Sequence, residues 1–282
     1  MTLPPDVPAG AGTVFPGGTV FPGGTVFPGG TVFPGGTSVS RLTVYTGACA
    51  DGLEGGTPHL HTASTEAYVV IGGRGALQTL DVHGLRETEL RPGTTVWFTP
   101  GTIHRAVNRG GLEVVVIMSN AGLPEAGDAV MTFPPEVVSD PERYRQAATL
   151  PVAGGSVAGV SGAGVSGAGG SGTVEEAVAR RRELAVEGFL RLAEEGPEAL
   201  RRFYDSAVAL VRPKVARWRE LWEGTVAQET RRTAGVLDAL ERGDGTHLLR
   251  SALMESPPEE RWGMCGRLRA HDVTHPVIHT PD

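Results

Sequence analysis

The sequence predicts a β barrel or sandwich followed by a helical segment. The first observation is a series of short strand-like runs between Ser38 and Leu150: RLTVYTGA, EAYVVIG, GALQTLDV, TTVWFT and LEVVVIMS. They are rich in Val, Thr, Ile, Tyr and Trp, and Gly, Pro or Asn lies between them, as in all-β domains built from short strands. The second is a change of period after Thr173, where apolar residues recur every three or four positions to about Glu255. The third is where the glycine lies. Gly makes up 41 of 282 residues, about twice the ordinary share, and much of the excess sits in two tracts that flank the β segment. The chain therefore divides into a tail (1–37), a β barrel (38–150), a linker (151–172) and a helical region that ends in a strand (173–282).

The tail carries TVFPGG four times without change from Thr13 to Gly36. Pro-Gly suits the central positions of a type II turn. Six residues with one Val and one Phe bury too little to offset the entropy of ordering, so a disordered tract is expected. The linker PVAGGSVAGVSGAGVSGAGGSG is of the flexible Gly/Ala/Ser kind. Thr173-Val-Glu-Glu176 reads as a capping box at a helix start. Val178, Ala185, Phe189 and Leu192 form the apolar stripe of that helix. Gly196-Pro197 ends it and opens the next. Val211, Val215, Trp218 and Trp222 form a second stripe around Pro213, read as core or as an interface face. Gly243-Asp-Gly245 breaks the run, and a short helix is expected from Thr246. RWGMCGRLRAHDV alternates as a strand does and is expected to return to an edge of the β domain.

Composition excludes several classes. A net charge of −7 with 40% hydrophobic residues describes an ordinary globular chain. The helical region has 17 basic against 19 acidic residues, which disfavours nucleic-acid binding. Lys214 is the only lysine, so Schiff-base chemistry would rest on that residue alone. Cys49 and Cys265 imply neither a disulfide framework nor a Cys-rich zinc site. No apolar run is long enough for a membrane span, and the first residues lack the pattern of a secretory signal. The expected compartment is the cytoplasm.

Chemistry is concentrated in two stretches. In Gly56-Thr-Pro-His59-Leu-His61-Thr-Ala-Ser-Thr-Glu66, the two imidazoles are two residues apart and share one face of a strand. Glu66 follows after a turn, and His104 comes 38 residues later in Gly101-Thr-Ile-His104-Arg-Ala-Val-Asn108. Three imidazoles and a carboxylate make a mixed nitrogen and oxygen donor set for a transition metal. By the same parity Tyr68 and Val70 face inward with Glu66, and Arg105 faces away from the lumen. The facing of Gln78 and Trp97 is left open. His271, His275 and His279 recur at steps of four and form a weaker candidate cluster near the C-terminus, where Pro276 favours a loose tail.

The stretch resembles the cupin superfamily, whose motifs read G-x5-H-x-H-x(3–4)-E-x6-G and G-x5-P-x-G-x2-H-x3-N. His59, His61, Glu66 and Gly73 fit the first, with Leu53 in place of its leading Gly. Gly93, Gly101, His104 and Asn108 fit the second, with Thr99 in place of Pro and Pro100 beside it. The resemblance covers about Ser38 to Met118. It implies a double-stranded β-helix, or jelly-roll-like, barrel. It also implies a divalent metal (Fe, Mn, Ni, Cu, Co or Zn) held by His59, His61, Glu66 and His104. The expected activity is dioxygenase-like, on a small oxygenated substrate, with Tyr68 as a candidate catalytic residue. The alternatives are a sugar or sugar-phosphate isomerase or epimerase, and a non-catalytic small-molecule sensor or storage barrel. A homodimer through barrel edges is a family expectation, and neither nucleic acid nor membrane is expected as a partner.

Overall fold

The computed structural model describes residues 33–151 and 173–279. Most of the TVFPGG tract and of the Gly/Ala/Ser linker lies outside the described residues.

The chain opens with a 3-10 turn (Pro34–Gly36) and runs through β1 (Ser38–Val44), β2 (His59–His61), β3 (Glu66–Gly72), β4 (Gly75–Asp81), β5 (Gly84–Leu90), β6 (Thr95–Phe98), β7 (Ile103–Asn108), β8 (Glu113–Met118) and β9 (Ala129–Met131). Helices α1 (Pro135–Val138), α2 (Pro141–Ala148), α3 (Val174–Glu195), α4 (Pro197–Val211), α5 (Val215–Gly224) and α6 (Val226–Glu241) follow. Strands β10 (Leu253–Glu255), β11 (Pro258–Trp262), β12 (Gly266–His271) and β13 (Val277–His279) close the described chain.

Two antiparallel sheets form the barrel, one ordered β11-β12-β1-β8-β3-β6 and the other β5-β4-β7-β2-β9; β10 and β13 make a separate pair. Leu42, Tyr68, Val70, Val114 and Val116 from the first sheet meet Leu77, Leu90 and Ala106 from the second in one apolar interior. β8 shows the expected alternation. Val114, Val116 and Met118 are buried, while Val115 and Ile117 on the other face are half-buried. β7 is different, because all six of its residues are buried.

The helices explain that difference. Leu60, Leu80, Ile103 and Val130 point out of the five-stranded sheet and pack with Phe189, Leu192, Leu200, Phe203, Val211 and Trp218. The helical region thus covers the outer face of the sheet that carries the three histidines. Gly188 makes a close approach possible: α3 lies against the Thr132–Pro134 backbone, where a Cβ would have no room. The Thr173–Glu176 capping box starts α3 with both reciprocal hydrogen bonds, and Pro197 occupies the first turn of α4. In the second apolar stripe Val211 and Trp218 are buried, whereas Val215 and Trp222 are exposed.

One expectation is corrected, and another, the C-terminal strand that returns to the β domain, holds and is extended. The segment up to Leu150 is not wholly β, since Pro135–Val138 and Pro141–Ala148 are helices. Each opens on a proline in its first turn, and the Asp140 carboxylate caps the second by accepting from the Glu142 and Arg143 N–H groups. The C-terminal strand is a hairpin, β11–β12, and β12 pairs along β1 from Ser40↔Ala270 to Val44↔Gly266. Its turn is tied to the barrel: Tyr45 N–H donates to Cys265 O and Thr57 N–H to Met264 O. Arg181 of α3 donates to Gly263 O.

Candidate metal centre

β2 and β7 place His59 and His104 directly opposite each other. His61, two residues on, shares the inward face, while Leu60 between them points to the helices. Glu66 opens β3 in the other sheet and reaches the same point. The four residues are 0–5% exposed. One donor atom from each, three imidazole nitrogens and a carboxylate oxygen, can be chosen so that all lie within 4.8 Å of one another.

Hydrogen bonds decide which nitrogens face the centre. His59 Nδ1 donates to Thr57 O at 2.8 Å, His104 Nδ1 to Thr102 O at 3.2 Å, and His61 Nδ1 to Asp128 Oδ1 at 2.6 Å. A carbonyl or a carboxylate oxygen accepts only, so each Nδ1 keeps its proton and each Nε2 is left as the inward atom. Glu66 Oε2 lies 3.1 Å from His61 Nε2 and 3.0 Å from His104 Nε2. Even so, Glu66 Oε2 and His104 Nε2 are buried without a hydrogen bond of acceptable direction. Donor atoms that crowd one point without satisfying each other are what a transition-metal site of this composition requires.

The electrostatics agree with a site arranged for a cation. Burial favours the neutral form of His59, and repulsion from the other two histidines adds to this, so its pKa lies well below the usual value. Burial acts the same way on His61. The Asp128 carboxylate bonded to Nδ1, with the Glu66 carboxylate 3.1 Å from Nε2, outweighs it and pushes His61 up to about 10. Burial opposes the charge on Glu66, but His104 and His61 hold its carboxyl well below the usual range.

Tyr68 is fully buried, meets Phe98 edge to face at 5.5 Å between ring centres, and lies 6.5 Å from the His104 ring. Its hydroxyl is 3.9 Å from Cys265 Sγ. Burial, with Cys265 and Glu66 nearby, raises the phenol well above its ordinary pKa.

Other singled-out residues lie elsewhere. Arg105 leaves the lumen as parity predicts, but it is fully buried, bonded to Asp51 and to the carbonyls of Gly56 and Leu53. Trp97 is 71% exposed on the outer face, and Gln78 bonds Glu87 near the surface. Asn108 is buried but serves the chain. Its amide donates to Val44 O and its carbonyl accepts from the Gly110 and Leu112 N–H groups. Gly101 adopts φ +87° in the turn before His104, a conformation suited to Gly. His271 is bonded to Ser256 O and His275 to Asp272, and the His279 side chain lies outside the described residues. Sequence reasoning missed Asp128, which is fully buried 67 positions from His61.

Residues 50–119 match the family model described as cupin domain. The barrel is a cupin domain, a double-stranded β-helix of antiparallel sheets, and a helical region follows it. No curated protein matches the chain. Similar solved structures include a double-stranded β-helix domain protein from Klebsiella pneumoniae, 18% identical, covering 31% of this chain and 70% of that one, with a TM-score of 0.26. A nucleoside dehydratase from Streptomyces is 19% identical, covering 36% and 71%, with a TM-score of 0.27. A cupin protein from Bacteroides fragilis is 20% identical, covering 31% and 68%, with a TM-score of 0.25. Among the described residues, no helix is long and apolar enough to cross a membrane.

Proposed function

We propose that the protein holds a divalent transition metal through His59, His61, Glu66 and His104 and acts there on a small oxygenated molecule in a dioxygenase-like reaction. The observation that carries the metal is the set of three imidazoles, each with Nδ1 engaged, whose Nε2 atoms converge with Glu66 Oε2. The ion would supply Lewis acidity and free coordination positions.

The chain's own residues limit the substrate. Phe98, Tyr68, Val70, Val116 and Met118 form an apolar core beside the four ligands, which keeps water from the site and favours a small, largely uncharged substrate. Tyr68 keeps its phenol protonated near neutral pH, so it can donate to a substrate oxygen. A phosphorylated sugar is disfavoured. Arg105 turns away from the lumen, and Arg86, on an exposed strand, is paired with Asp81.

The test is oxygen uptake by the Fe(II)-loaded protein with a panel of small enediols, diketones and α-hydroxy ketones. Uptake that disappears in His104→Ala supports the reading. Proton exchange beside a carbonyl under anaerobic conditions contradicts it in favour of an isomerase. A tightly held compound recovered unchanged contradicts it in favour of a binding barrel.

A further inference from the structure

Asp128 lies on the loop between β8 and β9, outside both sequence motifs, yet it is fully buried beside the four-residue cluster. Its two oxygens have separate tasks. Oδ1 accepts a hydrogen bond from His61 Nδ1–H at 2.6 Å, and Oδ2 accepts from Ser64 N–H at 3.0 Å. The first bond fixes the ring orientation and tautomer of His61. The second fixes the turn that leads from His61 to Glu66. One carboxylate therefore sets the position of two of the four donors.

The loop is in turn held by the helices. Lys214 Nζ donates to Gly127 O at 2.9 Å, Trp218 Nε1 to Ala126 O at 3.2 Å, and Thr225 Oγ1 to Ala121 O at 3.2 Å. Lys214 also lies close enough for its charge to interact with that of Asp128. Leu123 within the loop and Val130 in β9 just after it are buried in the apolar cluster shared with α3 and α4. A second tie runs to the turn before His104, where Tyr204 O–H donates to Gly101 O at 2.9 Å.

We propose that Asp128 is a positioning residue of the metal centre, and that the helical region keeps it there by bracing the 119–128 loop through Lys214 and Trp218. This rests on the metal reading above and deepens it. A carboxylate behind a metal-bound imidazole fixes the tautomer and strengthens the ligand, and loss of such a partner typically weakens metal binding about 10- to 100-fold. Asn is a poor substitute for a specific reason. It has one acceptor where His61 and Ser64 both need one, so one of the two donors meets an NH2 group.

The experiment titrates chelator-stripped full-length protein with Co(II), followed by visible absorption. The wild type is expected to bind one equivalent. Asp128→Asn is expected to bind about 10- to 100-fold more weakly, with a shifted band at saturation because His61 is no longer held in place. Asp128→Glu, which keeps both acceptors, is expected to recover part of the affinity. Lys214→Met leaves the carboxylate intact and slackens its loop; it is expected to weaken Co(II) several-fold, and it serves as the readout if Asp128→Asn fails to fold. A merely structural role for Asp128 would lower the melting temperature without moving the band of the loaded form. The proposal is overturned if Asp128→Asn, or Lys214→Met in its stead, binds Co(II) within twofold of wild type with an unchanged band. If the wild type itself takes up no Co(II), the metal reading falls first, which is a separate failure.

Discussion

Glu66 Oε2 and His104 Nε2 lie 3.0 Å apart although they belong to opposite sheets of the barrel, β3 and β7. The contact is short, buried and poorly directed for a hydrogen bond. A cation between these donors would relieve both. Glu66→Gln keeps the shape and removes the charge. It is expected to lower transition-metal affinity by at least tenfold while leaving the fold intact, as measured by competition with a chromophoric chelator and by circular dichroism.

Metal uptake should release a proton. In the metal-free protein His61 is held at about 10 by Asp128 and Glu66, against the opposing effect of burial, so it carries two ring protons at neutral pH. A metal takes its Nε2 only after that proton leaves. Apparent affinity is therefore expected to rise with pH, approaching tenfold per unit from about pH 7 toward 10. Calorimetry at pH 7.5 in buffers of different ionisation enthalpy should show about one proton released. The same shift sets a stability trend without metal. A raised histidine stabilises fully below its unfolded value of about 6.5, and that contribution is lost as pH rises through about 10. Chelator-treated protein should melt at a lower temperature at pH 10.5 than at pH 6.5 through this group.

The helical region should matter for barrel stability. Phe189 is 1% exposed in the cluster that joins α3 and α4 to the outer face of the five-stranded sheet. Phe189→Ala is expected to cost about 3–5 kcal/mol in denaturant unfolding. An effect below about 1 kcal/mol would mean that the helices do not pack on that face as described.

Asn108 completes a cupin motif, yet its hydrogen bonds serve the turn between β7 and β8. Asn108→Ala leaves two N–H groups and a carbonyl short of partners and is expected to destabilise by about 1–3 kcal/mol. Metal stoichiometry should stay at the wild-type value. Loss of metal from a folded Asn108→Ala variant would place Asn108 in the centre after all.

The site was legible where the chemistry depends on short spacing. His59 and His61 share a strand face, and Glu66 and His104 sit at distances that two sequence patterns encode. Asp128 was not legible. It is a single acidic residue on a loop, 67 positions from His61, and only tertiary packing brings the two together. Strand β5, GLRETEL, was also hidden, because it lies at a sheet edge and most of it is exposed, with no apolar alternation. The second helical stripe, read as core or as an interface face, is buried at Val211 and Trp218 and exposed at Val215 and Trp222. Trp218 is buried and donates to Ala126 O, while Trp222, one turn on, is exposed. The period identified a helix, and tertiary packing against the 119–128 loop decided which part of its face is covered.

Metal binding by the four residues is read out by elemental analysis of the purified protein under metal-replete conditions, with His59→Ala and His104→Ala alongside. Close to one equivalent of a transition metal is expected in the wild type and little in either variant, with all three proteins folded. A folded wild type without stoichiometric metal, or variants that retain it in full, would rule out a metal held by His59, His61, Glu66 and His104.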